Sequence, residues 1–294
     1  MKLSTRSIYG VKAMVELASA PSDVPVPLSV ISSRQGISQP YLEQILALLK
    51  KASLIEGRLS TIISRAGFSC FGDYIAFVKN DKTGRQASLL VSKLTTNYTY
   101  FMRERQHYDF LRDVALPELK PRIVDNDLRI WSAGCSSGEE AYTAAMVVDQ
   151  YLSIEKPYWD STKLATDISE NVLAQAQRAT YPIQRMGELP EEWKRLYFDD
   201  IGQGQYQITS KLRNEVLFAK FNLMDSFSRF SKKFHIIFCR NVMIYFNGET
   251  RAGLVEKFYD ALAPGGYLFI GLSEVLTNAD TDFTYIMPAV YKKV

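Results

Sequence analysis

The segment Leu128-Arg-Ile-Trp-Ser-Ala-Gly-Cys-Ser-Ser-Gly-Glu139 constrains the fold of this chain more than any other. Strand-forming residues run straight into a turn holding Gly134 and Gly138, and an acidic helix start follows. Glycine has no Cβ to block a flat, bulky ligand passing close to the backbone, and it accepts the positive φ that a sharp strand-to-helix turn often needs. A second strand is expected over Thr162-Lys-Leu-Ala-Thr-Asp167, ending on an acid. Strand, glycine turn, helix, strand and terminal acid read as one βαβ unit holding a ribose-bearing cofactor.

The turn also says which cofactor. Its spacing is not G-x-G-x-x-G, and no Lys-Ser/Thr pair follows as in a phosphate-binding loop. Glu139 and Glu140 stand where a pyrophosphate would dock, and two carboxylates there repel it. S-adenosylmethionine carries an ammonium and a sulfonium and no phosphate, so it suits the position. The competing reading is that the two glutamates only complement the helix dipole.

The 294 residues suffice for one large α/β domain and a smaller one. The net charge of +3 is too small to demand a nucleic-acid partner, and residues 1–60, with seven basic and four acidic side chains, carry all of it. Cys70, Cys135 and Cys239 are odd in number, widely spaced and without metal-type spacing, as expected of a reducing cytosol. Lys12 and Glu16 interrupt the apolar stretch near the N-terminus, so no signal peptide is expected, and no run approaches a membrane span.

Three regions separate. Residues 1–57 read as all-helical: Val11, Met14, Val15 and Ala18 form one apolar face, and Leu42, Ile45, Leu46 and Leu49 another. Gly36 ends a helix between them and Ser38 can cap the next, which is helix-turn-helix grammar. Residues 58–125 again read as helical. There Arg58, Arg65, Lys79, Lys82, Arg85 and Lys93 belong either to a solvated surface or to a basic face for an acidic partner. Asn97-Tyr-Thr-Tyr-Phe-Met-Arg103 mixes polar groups with aromatics and suggests a pocket wall. Residues 126–294 alternate strand and helix. Strands are expected at 128–133, 162–167, 234–240 and 267–272, and helices after the glycine turn, at 169–179 and at 249–263. That rhythm predicts a mostly parallel, helix-flanked sheet with its ligand outside the strands' C-terminal ends. It breaks at about 185–220, where a small β insertion is expected.

Several strings then add up to a resemblance: Leu94 to Glu104, Trp131 to Tyr142, Ala165-Thr-Asp-Ile-Ser169, Phe221-Asn-Leu223, Phe238-Cys-Arg-Asn-Val-Met-Ile-Tyr-Phe246 and Gly271-Leu-Ser-Glu274. Residues 58–294 resemble the CheR-type chemotaxis receptor methyltransferases, which transfer methyl from S-adenosylmethionine to receptor glutamates. The resemblance implies an α/β, Rossmann-like methyltransferase sheet in the cytoplasm, and a monomer. Its partner would be the cytoplasmic helical domain of chemoreceptors. It also implies that Asn97, Thr99, Arg103, Glu139, Asp167, Asn222, Leu223, Arg240 and Asn241 line the cofactor site. Asp167 can accept from both ribose hydroxyls, Asn222 can pair with the adenine edge beside Leu223, and Arg103 can hold the methionine carboxylate. Ala141, Met102 and Leu272 depart from the family's usual Pro, Phe and His, and none removes a polar cofactor contact. The insertion near 200–215 looks short for relatives that dock on a receptor's C-terminal peptide. Residues 1–57 resemble winged-helix repressors of the iron–sulfur-sensing family, without the wing and cluster cysteines. DNA stays open as a partner, beside a packing or docking role.

A glutamate acceptor is ionised at neutral pH and needs no base, whereas an amine or alcohol more often does. The chain's two histidines, His107 and His235, lie outside every motif above, which agrees with a carboxylate acceptor. Tyr245 is expected either to shape the methyl channel and hydrogen-bond the incoming carboxylate or simply to pack, and Arg240 to attract the acidic acceptor. Two other functions remain: methyl transfer to a different acceptor, although the Asn/Asp-Pro-Pro-Tyr turn of N-methylation is absent, and a non-enzymatic regulator that senses the cofactor.

Overall fold

The computed structural model describes residues 67–68, 71–81, 86, 99–276 and 281–294. The helix-turn-helix segment, the basic positions of 58–93 (the Lys79 side chain included), Cys70 and Asn97 lie outside the described residues. The chain divides into two units: Met1–Asn97 with Ile244–Arg251, and Tyr98–Met243 with Ala252–Val294. Residues 98–125, expected from the sequence to belong with the helical region, therefore fall in the second.

In the first unit the helix Phe71–Asn80 buries Tyr74 and Val78, and Phe68 packs its ring 5.7 Å from that of Tyr74. Asn247 accepts a 2.8 Å hydrogen bond from the Thr250 amide, capping a helix start as a short polar side chain does.

Among its described residues the second unit has ten strands: β1 (Ile130–Ala133), β2 (Lys163–Asp167), β3 (Thr180–Pro182), β4 (Phe198–Asp200), β5 (Gln205–Ile208), β6 (Val216–Lys220), β7 (Phe234–Cys239), β8 (Leu262–Ile270), β9 (Thr284–Met287) and β10 (Val290–Lys292). Seven form one sheet in the order β6-β2-β1-β7-β8-β10-β9. The first five are parallel, and β10 runs antiparallel to β8 and β9. Helices α1 (Glu139–Leu152), α2 (Glu170–Arg178) and α3 (Gly248–Ala261) follow β1, β2 and β7.

Central strands covered on both faces read as unbroken apolar runs. Every residue of β1 and β7 is buried. On one face Trp131 sits among Phe221, Phe227, Phe230, Phe234 and Phe258 with ring centroids 4.9–5.8 Å apart, and its indole N–H donates to Thr166 at 2.9 Å. On the other, the helical stretch Gln106–Leu119, π-helical over Leu111–Ala115, buries Tyr108, Leu111, Ala115 and Leu116. His235 is tolerated inside β7 because its Nδ1 accepts the Arg129 amide at 3.1 Å.

Two expectations change. The strand expected to begin after Pro264-Gly265-Gly266 is already paired at Leu262, and Ala263–Gly266 bulges out between the Leu262 and Tyr267 pairings, with Gly265 at φ 78°. The β insertion is the antiparallel sheet β3-β5-β4, spanning 180–208. Val216–Lys220, expected inside that insertion, is instead β6, the edge of the main sheet, paired in parallel with β2. An edge strand covered on one side lacks the apolar run that marks inner strands, and Leu217 is 60% exposed.

Candidate active site

The β1–α1 turn crosses the end of β2. The amides of Gly134 and Cys135 both donate to the Thr166 carbonyl, at 2.8 and 2.9 Å. Gly134, Ser136 and Gly138 take φ of 93°, 51° and 97°. The glycines are required by the protein's own packing. A Cβ on Gly134 would stand 2.6 Å from Val242 Cγ2, and one on Gly138 2.8 Å from Ala176 Cβ on α2. The sequence reading assigned the missing Cβ atoms to ligand approach; the neighbours they make room for are Val242, Ala176 and the Tyr181 hydroxyl. Cys135, buried in the turn, has its thiol pushed well up by burial, with the Asp167 charge adding to it.

Asp167 closes β2 with its carboxylate fixed from two sides. Oδ2 accepts the Ser136 amide at 3.0 Å and Oδ1 the Ser169 amide at 2.9 Å. The Asp167 carbonyl accepts the Phe221 amide at 3.0 Å, which sets Asn222 and Leu223 beside it at the end of β6. Asn222 Oδ1 accepts the Met224 amide at 3.1 Å, and both Asn222 and Leu223 are half-buried.

The segment from Thr99 to Glu104 is bound down along its length. The Phe101 amide donates to the Arg185 carbonyl at 3.1 Å and the Met102 amide to Thr143 Oγ1 at 3.3 Å. The Phe101 ring meets Tyr181 and Phe198 of the insertion, 4.9 and 5.2 Å away between centroids. Met102 and Glu104 take left-handed φ of 61° and 59°, which non-glycine residues hold only where surrounding structure enforces it.

Arg240 does the enforcing. Its guanidinium, 2% exposed, donates to Glu104 Oε2 at 3.1 and 3.3 Å, to Glu140 Oε2 at 3.2 Å, to the Tyr108 hydroxyl at 3.0 Å and to the Arg103 carbonyl. Burial opposes its charge, but Tyr108, Glu140 and Glu104 outweigh burial and hold it protonated. Glu140, taken from the sequence as a helix-dipole residue or a cofactor partner, is tied to Ser132 Oγ at 2.6 Å as well as to Arg240. Burial lifts its carboxyl above the usual range, against the pull of Arg240. Arg240 thus faces inward, and the expectation that it attracts an incoming acceptor is replaced by a positioning role: its hydrogen-bonding capacity is spent on the protein.

Asn241, at φ 57°, donates its amide to Glu274 Oε2 at 2.9 Å, and Gly271 donates to the same oxygen at 2.6 Å. The Asn241 side chain reaches Glu104 Oε1 at 3.4 Å, and a Cβ on Gly271 would lie 2.4 Å from its Nδ2. Glu139 is wholly buried. Ser137 Oγ donates to its Oε2 and Arg185 Nη1 to its Oε1, both at 2.6 Å, and Arg185 Nη1 also donates to the Thr99 carbonyl at 2.6 Å. Burial raises the Glu139 pKa, with Ser137 and Arg185 pulling it partway back.

The structure therefore gathers Arg103, Arg240 and Asn241 around Glu104 and Glu140, Thr99 and Glu139 around Arg185, and Asp167, Asn222 and Leu223 along the adjoining strand ends. Asn97 lies outside the described residues. Tyr245 ends the short 3-10 turn Met243–Tyr245, and its side chain is likewise outside them. Sequence reasoning missed Glu104, Tyr108, Arg185 and Glu274 as members of the site. Glu104 and Glu274 end strings already singled out; Arg185, within the insertion, carried no local signal. Among the described residues no cluster of His, Cys, Asp and Glu could hold a metal, and no helix is long and apolar enough to cross a membrane.

A parallel sheet with a C-terminal antiparallel hairpin, an acid at the end of β2 and a carboxylate-bearing helix start without a phosphate-binding lysine define an S-adenosylmethionine-dependent methyltransferase. Comparison with known proteins gives the particular family. The CheR methyltransferase S-adenosylmethionine-binding domain matches residues 97–291, and an iron-dependent transcriptional regulator family, Rrf2, matches residues 3–59. The chain is 44% identical over 247 residues to a chemotaxis protein methyltransferase of Borreliella burgdorferi, covering 83% of this chain and 87% of the relative. It is 35% identical over 235 residues to chemotaxis protein methyltransferase 1 of Pseudomonas aeruginosa, covering 78% and 84%. With the chemotaxis protein methyltransferase of Listeria monocytogenes it shares 36% over 238 residues, covering 79% and 85%. The chain belongs to the CheR methyltransferases: S-adenosylmethionine is its cofactor and chemotaxis its setting.

Proposed function

We propose that this protein methylates glutamate side chains in the cytoplasmic helical domain of chemoreceptors, forming glutamyl methyl esters. The observation that carries the reading is the strand-end site: Asp167, Asn222 and Leu223 adjoin a network of Glu104 and Glu140 on Arg240, and of Glu139 on Arg185, in which every carboxylate is already bonded within the protein. No side chain in that network stands ready to take a proton. Its histidine neighbour, His107, is buried and held neutral down to about pH 4 by burial and by the nearby Arg240. A carboxylate acceptor, ionised at neutral pH, needs none.

S-adenosylmethionine supplies the activated methyl group when bound. The chain's own residues bind, orient and keep out water. Asp167, its carboxylate pre-set by two backbone amides, accepts from the ribose hydroxyls. Asn222 meets the adenine edge against Leu223, while Arg103, Thr99 and Asn97 bind at the amino-acid end. Arg240 and Glu104 hold the backbone of Met102–Glu104 in its left-handed turn, so that this wall stays in register with the β1–α1 turn. Fixed geometry of that kind replaces translational freedom with alignment, the main source of rate in a displacement that needs no base.

Incubation with methyl-labelled cofactor and receptor-rich membranes tests the reading. Label released as methanol by alkali supports a glutamyl ester. Base-stable label means another acceptor, and no transfer despite cofactor binding means a regulator without this activity.

A further inference from the structure

Asn222 and Leu223 lie in the short loop between β6 and the 3-10 turn Phe227–Arg229. Part of that loop's shape is local. Asn222 Oδ1 accepts the Met224 amide at 3.1 Å, and the Asn222 carbonyl accepts the Asp225 amide at 2.9 Å. Side-chain turns of this kind fix amides and leave the following carbonyls to be held by something else. Here the holder comes from another element. Lys257, half-buried on the part of α3 that belongs to the second unit, donates from Nζ to the Met224 carbonyl at 3.0 Å and to the Asp225 carbonyl at 3.1 Å. The Phe227 ring centroid lies 5.6 Å from the same nitrogen. The peptide group joining Met224 to Asp225 is therefore held at both ends, its N–H by Asn222 and its C=O by Lys257.

Resting on the reading that Asn222 meets the adenine edge, we propose that Lys257 is a positioning residue for adenine recognition: it locks the 222–225 loop in the conformation that presents the Asn222 amide and Leu223 to the base. The chemistry needs an ammonium. It carries three donors and no acceptor, so one side chain serves two carbonyls at once, and its charge strengthens both bonds. A methionine of similar length fills the space and donates nothing. Without the clamp the loop divides its time among conformations, and apparent affinity falls by the fraction that remains competent. That loss reaches only a ligand that uses the Asn222 amide. A base that does not pair with it has no such requirement.

The test compares two ligands on the full-length protein by calorimetry: S-adenosylhomocysteine, and S-inosylhomocysteine, whose hypoxanthine replaces the 6-amino group by a carbonyl and protonates N1. Wild type is expected to favour the adenosyl ligand by about 10- to 100-fold, the worth of one or two hydrogen bonds. Lys257→Met should weaken S-adenosylhomocysteine by about 10-fold and leave S-inosylhomocysteine within about 3-fold, so the preference collapses while the site stays folded. Lys257→Arg, which can still donate to both carbonyls, should recover most of the loss. Asn222→Ala should abolish the preference, and adding Lys257→Met to it should change neither ligand further. Equal losses for both ligands in Lys257→Met would make the lysine merely structural, and unchanged S-adenosylhomocysteine binding would make it idle; either overturns the proposal, as does a further loss in the double variant. A wild-type protein without base preference, or an Asn222→Ala protein that keeps it, defeats the adenine reading instead, and a wild-type protein that binds neither ligand defeats the cofactor reading.

Discussion

Gly138→Ala separates two explanations of the glycine turn. If the glycines exist for ligand approach, the variant folds as well as wild type and loses cofactor affinity. The structure says otherwise. Gly138 sits at φ 97°, and a left-handed backbone on a residue with a Cβ costs about 1–2 kcal/mol. Its added Cβ would stand 2.8 Å from Ala176 Cβ and 3.2 Å from Ala176 Cα, atoms fixed to the α2 backbone that cannot swing away, and overpacking of that kind costs about 1–3 kcal/mol more. We expect a loss of about 2–5 kcal/mol in urea unfolding. Ala176→Gly should couple to it: a double-mutant cycle is expected to return part of the packing cost and none of the backbone cost. A Gly138→Ala protein within about 0.5 kcal/mol of wild type, the ordinary scatter of a neutral substitution, would refute the argument.

Two further outcomes follow from the buried charges. Arg240→Met leaves Glu104 and Glu140, each 12% exposed, without their cation and is expected to cost about 3–5 kcal/mol in urea unfolding, against little change for an exposed arginine such as Arg105. His107 and His235 are both held to about 4, by burial first and then by Arg240 and Arg129 respectively, so the unfolded chain, titrating near 6.5, binds protons that the folded one refuses. Stability should be complete above pH 6.5 and drain away as pH falls towards 4, by about 3 kcal/mol per histidine at full protonation. His235→Gln should show a visibly shallower fall in urea unfolding between pH 7 and 4, and parallel curves would contradict the assignment.

The inner strands β1 and β7 announced themselves because both of their faces are covered, leaving a largely apolar run that no tertiary knowledge is needed to read. The edge strands β6 and β9 did not, since a one-sided strand mixes polar with apolar and Leu217 points to solvent. The site divides the same way. Asp167, Asn222 and the glycine turn are legible because strand ends and turns impose local chemistry. Arg185 is not, because nothing within its own helix turn says what it faces.

What the chain determined by order alone is the βαβ unit and its phosphate-free, carboxylate-bearing turn, properties fixed by neighbours a few residues apart. Tertiary structure decided which charges are covered, and by what. Arg240 meets Glu104 across 136 positions and Arg185 meets Glu139 across 46, and these long-range pairings bury two residues that look like contacts in the sequence. A charge's role depends on what covers it, and covering is a property of the fold.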